Sequence, residues 1–301
     1  MRTFAYLAAF IIFFPCSYGG AITLSDIRYI KGIDGKASGL PFQGIAAIFL
    51  DSRRDELYIA DDGNRRIVVT DSQGTFLYQF GYDNAKIKGS LSTIVVDKKG
   101  AIYVPQGDRV SLLNYKGDYT MDMDFSEVPS HDHMLIRAMA IDNDGCIYIA
   151  DGAMGRIIVL DSDRKFLYQF FISGKPKGID IQAMDVGDSK VYLLHPQSFL
   201  VTIFDKKKGE KSGYFGFMGE SEGGFSMPAD IKIDGKGRLV VVDGNRGAVI
   251  FFDKNGKFIF EFGGRGTFSW PRTVAIDKKR GIYYVVDMTS KVRVFQLMED
   301  K

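Results

Sequence analysis

Ile45-Ala46-Ala47-Ile48-Phe49-Leu50-Asp51 is an apolar run that closes on an aspartate, and after a short polar turn Glu56-Leu57-Tyr58-Ile59-Ala60-Asp61 repeats the form. Short runs rich in Ile, Val and Tyr between turn residues read as strands. Two more follow, Arg66-Ile67-Val68-Val69-Thr70-Asp71 and Thr75-Phe76-Leu77-Tyr78-Gln79-Phe80-Gly81, with Ser72-Gln73-Gly74 as the turn between them. Four strands joined in series by tight turns make an antiparallel meander.

The unit recurs along the chain. Its first strand and closing aspartate return at 91–97, 136–142, 179–185, 228–234 and 271–277, so the aspartate-to-aspartate steps are 46, 45, 43, 49 and 43 residues. Second strands return as Ala101-Ile102-Tyr103-Val104, Cys146-Ile147-Tyr148-Ile149-Ala150-Asp151, Val191-Tyr192-Leu193-Leu194, Leu239-Val240-Val241-Val242-Asp243 and Tyr283-Tyr284-Val285-Val286-Asp287. A sheet with two apolar faces cannot stand alone, whereas six such sheets around an axis bury each face against a neighbour. The predicted fold is all-β: a six-bladed β-propeller of four-stranded antiparallel blades. Its sixth unit has three strands, and Asp26-Ile27-Arg28-Tyr29-Ile30-Lys31-Gly32 has the fourth-strand pattern ahead of unit one. Residues 22–33 are therefore expected to complete the last blade, with Tyr29 alongside Val294, which removes two exposed edges.

Units such as Asp51…Leu57-Tyr58-Ile59-Ala60-Asp61…Gly63-Asn64-Arg65-Arg66-Ile67 and Asp234…Val240-Val241-Val242-Asp243-Gly244-Asn245-Arg246 resemble NHL repeats, a family of six-bladed propellers. The resemblance is strongest in units one, three and five. It implies architecture more than chemistry, because the family spans exported binding domains, a His-metal amidating lyase and RNA-binding modules.

Composition narrows the partner classes. The 301 residues carry 39 basic and 37 acidic side chains, a formal charge of +2, without the basic excess that nucleic-acid binding requires. Arg2 followed by the apolar run 4–14 and the small residues up to Ala21 has the three parts of a secretory signal, and the run is too short for an ordinary membrane span. Residues 1–21 are read as that signal and 22–301 as one propeller domain, secreted or periplasmic, monomeric, with no stable membrane span after cleavage. Lipid attachment at Cys16 is disfavoured by the preceding Pro15, and Cys146 is left without a disulfide partner.

A residue present in most blades serves blade construction; a local exception does not. The strand-ending aspartates and the arginines Arg66, Arg156 and Arg246 belong to the first kind, as turn formers and loop braces. Exceptions are Gln106 and His195, which stand where other units have the second-strand aspartate, and the pair His131 and His133 in the link between units two and three. Topology puts all three histidines on one rim, so His131, His133 and His195 are a possible zinc set with water as a fourth ligand. At the start of the first strand the equivalent positions read Ala46, Ser92, Arg137, Asp180, Ala229 and Arg272. Two arginines and one aspartate among small residues form a polar channel mouth suited to a carboxylate, sugar or peptide group, and the competing account is an Arg137–Asp180 ion pair. Asp142-Asn143-Asp144-Gly145 is a hairpin turn, because Ala153 replaces the closing glutamate of a calcium loop. The run Lys206-Lys207-Lys208 reads as a solvated turn. No phosphate loop, nucleophile elbow or His-Glu-x-x-His occurs.

The expected function is a non-catalytic recognition scaffold without a cofactor, binding a protein, peptide or glycan outside the cytoplasm through Gln106, Arg137, Asp180, His195 and Arg272. The alternative is a zinc-assisted lyase or hydrolase centred on the three histidines.

Overall fold

A computed structural model describes residues 27–175 and 177–298. They form six four-stranded antiparallel sheets, and five follow the chain directly, from inner strand to outer strand. The inner strands are Ile45–Asp51, Val95–Val96, Ile136–Ile141, Ala183–Val186, Pro228–Ile233 and Thr273–Asp277. In the sixth sheet the outermost strand is Ile27–Ile33, paired antiparallel with Val292–Leu297. The ring is a six-bladed β-propeller closed by its own N-terminal strand. Tyr29 faces Phe295, and a bulge between Tyr29 and Lys31 brings Lys31 opposite Val294. The predicted partner of Tyr29 is thus displaced by one residue, the length of that bulge. The signal reading of 1–21, and residues 22–26 of the closing segment, lie outside the described residues.

Burial follows the layer logic. Six apolar clusters form among the described residues, and each straddles two neighbouring blades. Where the ring closes, Ile33, Ile59 and Val68 meet Tyr284, Val286 and Val294. Each outer strand carries a bulge or irregularity against its neighbour, which twists the exposed edge away from flat pairing with another molecule.

Aspartates at the ends of inner strands build the turns. The Asp97, Asp142 and Asp234 carboxylates each accept two backbone N–H groups from the residues two and four further on, at 2.8–2.9 Å. Gly145 closes the 142–145 turn at φ +92, a conformation cheap for glycine. Arg66 and Arg156 act as the expected braces: each pairs with the second-strand aspartate, Asp61 at 2.8 Å and Asp151 at 2.9 Å, and donates to carbonyls of the preceding link. One expectation fails in the lysine run. Lys206 is not solvated but pairs with Asp142 of the third blade at 2.7 Å, since the hairpin lies against that blade's turn.

Candidate functional site

Cross-strand register decides which residues are equivalent around the channel. Ala138 faces Ala150 in the third blade and Ala183 faces Leu194 in the fourth, each pair one step inside the strand end. The residue before Ala183 is Gln182, so Gln182, not Asp180, is the fourth-blade counterpart of Arg137. The reason lies in the turn. Gly187 bonds Lys190 at 2.9 Å just as Asp142 bonds Cys146 at 3.0 Å, so the fourth inner strand ends on glycine and its repeat steps are 45 and 47 residues. Counting from Asp185 set this blade two residues early.

The upper channel mouth, where the inner strands begin, opens on a cavity of about 600 Å³. One residue of each blade lines it at the equivalent position: Ala46, Ser92, Arg137, Gln182, Ala229 and Arg272, with Asp180 beside them. Arg137 and Arg272 belong to the third and sixth blades, opposite each other in a ring of six. Both are exposed, and neither side chain has a hydrogen-bond or ion-pair partner among the described residues. The Arg137–Asp180 ion pair, the competing account of these two residues, is not formed. Instead the Asp180 carbonyl accepts from His195 Nδ1 at 2.8 Å and its carboxylate accepts from the Gln197 amide at 3.3 Å. Gly152 leaves room for the Arg137 stem, since a Cβ there would lie 2.8 Å from Cγ.

Beside the cations the lining turns apolar. Trp270 and Met227 border the cavity at 39% and 49% exposure. Trp270 sits in left-handed backbone at φ +57, uncommon for a bulky residue. Its indole lies over Gly244, whose missing side chain is the space it occupies: a Cβ would come within 2.8 Å of Nε1. Deeper in, Lys232 Nζ donates to Asp230 at 2.6 Å. Burial pulls the ammonium down, but the carboxylates of Asp230 and Asp185 more than offset it, so Lys232 is held above the ordinary lysine value. Asp230 also accepts Thr273 Oγ1 at 2.8 Å and the Val274 amide at 3.1 Å, stapling the fifth blade to the sixth.

The remaining sequence candidates lie elsewhere. Gln106 Oε1 accepts the Lys88 amide at 2.7 Å and its Nε2 donates to Ser111 at 2.8 Å, so its amide braces a link. His131 Nδ1 donates to the Val128 carbonyl at 3.1 Å, and His133 is exposed on the same one-turn 3-10 helix, His131–His133. His195 ends its strand buried. Among the described residues no three His, Cys, Asp or Glu side chains converge on a point that would hold a metal; the structure does not bring the three histidines together. His195 has a separate consequence. Its Nε2 is buried without a partner, and burial lowers the imidazole below the usual value, against the opposing pull of Asp180. The unfolded chain takes up that proton first, so stability present above about pH 6.5 is lost as the pH falls through it. The urea midpoint should therefore fall more steeply from about pH 7.5 to 5.5 in the parent than in His195→Asn; parallel profiles would remove this account.

Sequence reading missed Trp270, Asp230 and Lys232. A signal existed for the lysine: its column in the other blades is Phe49, Val95, Ala140, Asp185 and Ala275, each opposite a tyrosine, while Lys232 faces Val240. Trp270 has no column to depart from, because it lies in a link.

Solved structures of like shape include a streptogramin B lyase, with TM-score 0.59 and 14% identity over 91% of this chain and 88% of that one. Another is the WD40 β-propeller domain of Doa1, at 0.58 and 16% identity over 85% and 80%. Both likenesses show the propeller fold. No family model matches the chain, and no curated protein matches it in sequence.

Proposed function

We propose that the protein is an exported recognition scaffold whose upper channel mouth binds an anionic group of a protein, peptide or glycan. The observation that carries the reading is the pair of unpartnered guanidinium groups, Arg137 and Arg272, on opposite blades of one cavity. Arginine in such a place donates paired, charge-assisted hydrogen bonds to a carboxylate or sulfate. Trp270 and Met227 supply a flat apolar wall for the group that bears the anion, so the site favours an acid joined to a ring or apolar side chain. Rigid blades fix the backbone of both arginines, so the ordering cost on binding is confined to their side chains. The repeats are read as NHL-type and the compartment as periplasmic or extracellular, in keeping with the apolar segment at the N-terminus. No helix among the described residues is long and apolar enough to cross a membrane.

The chain has a single tryptophan, and it lines this cavity. Its fluorescence is thus a direct readout for a panel of peptides with free or amidated C-termini and of acidic or neutral oligosaccharides. Acidic members should shift the emission, and Arg137→Ala with Arg272→Ala should weaken their binding about 100-fold or more, at about 1.5–3 kcal/mol for each charged hydrogen bond. Equal binding of neutral and acidic members, or no effect of the double variant, would refute the proposal.

A further inference from the structure

The channel has a second mouth, on the rim that bears the turns closing each inner strand. It opens on its own cavity of about 380 Å³, within the roughly 300–1,000 Å³ of pockets that enclose small ligands. Ile48, Thr93, Met139, Met184 and Lys232 belong to the walls of both cavities. Phe49, Leu50 and Ile141 line the lower one and are only half-buried, although apolar. Each packs one side against an inter-blade cluster and leaves the rest of its apolar surface at the channel wall.

Charge at this mouth is one-sided once the pairs are assigned. Of its acids, Asp51 is held by Arg53 at 2.9 Å and Arg54 at 2.6 Å, Asp142 by Lys206 at 2.7 Å, and Asp185 accepts the Ile233 and Val186 amides at 2.7 and 3.0 Å. Lys98 donates to the Asn143 carbonyl. Lys278 and Lys279 line the same cavity, are exposed, and have no side-chain partner among the described residues. Their turn is seated firmly: the Lys278 carbonyl packs on Gly235, where a Cβ would lie 1.9 Å away.

We propose that the lower mouth is a second binding site, for a single-chain anionic amphiphile whose alkyl chain lies between Phe49, Leu50 and Ile141 and whose carboxylate or phosphate meets Lys278 and Lys279. A peptide would carry unsatisfied amides along this wall, and an alkyl chain has none. The site is independent of the one at Arg137 and Arg272.

Titration calorimetry of the purified protein with hexanoate, octanoate and decanoate, all below their micelle concentrations, tests it. Each methylene buried should tighten binding about four-fold, so two carbons give roughly 15-fold. Lys278→Glu with Lys279→Glu should weaken decanoate at least about ten-fold, while Arg137→Ala with Arg272→Ala leaves it unchanged and Trp270 emission does not respond. Decanol binding as tightly as decanoate, no dependence on chain length, or indifference to the lysine variant overturns the proposal. A Trp270 response lost in the arginine variant would move the amphiphile to the upper mouth and overturn it as well. Adhesion to vesicles of anionic lipid without binding of decanoate would assign the lysines to a membrane surface, also against it.

Discussion

Replacing Arg156 by methionine is expected to cost about 3–5 kcal/mol of stability, the usual penalty for stranding one member of a buried ion pair. Arg156 is fully buried and Asp151 with it. The guanidinium donates to Asp151 at 2.9 Å, to Gln169 at 2.7 Å, to the Ser130 carbonyl at 3.0 Å and to the Pro129 carbonyl. Methionine keeps the stem's packing and removes all of these donors, leaving two link carbonyls unanswered and the buried Asp151 charge without its counter-ion, its Oδ1 still held by the Leu135 and Ala153 amides at 3.0 Å. The double variant Asp151→Asn with Arg156→Met should recover part of the loss, since it removes the stranded charge and keeps an oxygen for the Leu135 and Ala153 amides. Denaturant midpoints measure both, and a single variant within about 1 kcal/mol of the parent would contradict this account. The brace also positions function: Ser130 lies a few residues before Arg137, so a loosened link should weaken ligand binding at the upper mouth in the same variant.

Deleting the strand Ile27–Ile33 should open the ring. Val292–Leu297 would then be an unpaired edge whose Val292 and Val294 are buried in the intact protein. The packing of buried Ile33, at about 1.5–3 kcal/mol, of half-buried Ile27, at about half that, and the Tyr29–Phe295 edge contact, at about 0.5–1.5 kcal/mol, together amount to roughly 4 kcal/mol. The larger effect is on association, because a bare apolar edge is a template for another chain. Concentration-dependent oligomers by light scattering and a broadened urea transition are expected. A truncated protein as monomeric and cooperative as the parent would show that the ring does not need its closing strand.

The architecture was legible because it is written several times over. Strand patterns, turn glycines and aspartates recur at a near-constant step, so each blade corroborates the others, and the offset closing strand follows from the one blade that falls short. Where the repeat lapses, legibility lapses with it: the fourth blade ends its inner strand on Gly187, and the count from Asp185 displaced Asp180 from its true column. The displacement is two residues, and Asp180, in the link just ahead of the strand Ala183–Val186, still lines the mouth.

Partnering is the other limit. Arg137 and Arg272 could be named from their positions, but whether Arg137 is neutralised by Asp180 or left for a ligand depends on distances between blades more than forty residues apart in the chain. Gln106, an exception in the repeat, turned out to be occupied by local hydrogen bonds, and His195, another, is tied to the Asp180 carbonyl through Nδ1 while its Nε2 is buried.

Periodicity and turn chemistry are local properties, written into each stretch of chain, and they specify the ring and its closure. Which charges face one another across the channel is set by how six separate segments converge on an axis, and no single segment encodes that meeting. The opposed arginines, the tryptophan seated over Gly244 and the lysines of the lower mouth therefore emerge from the folded ring.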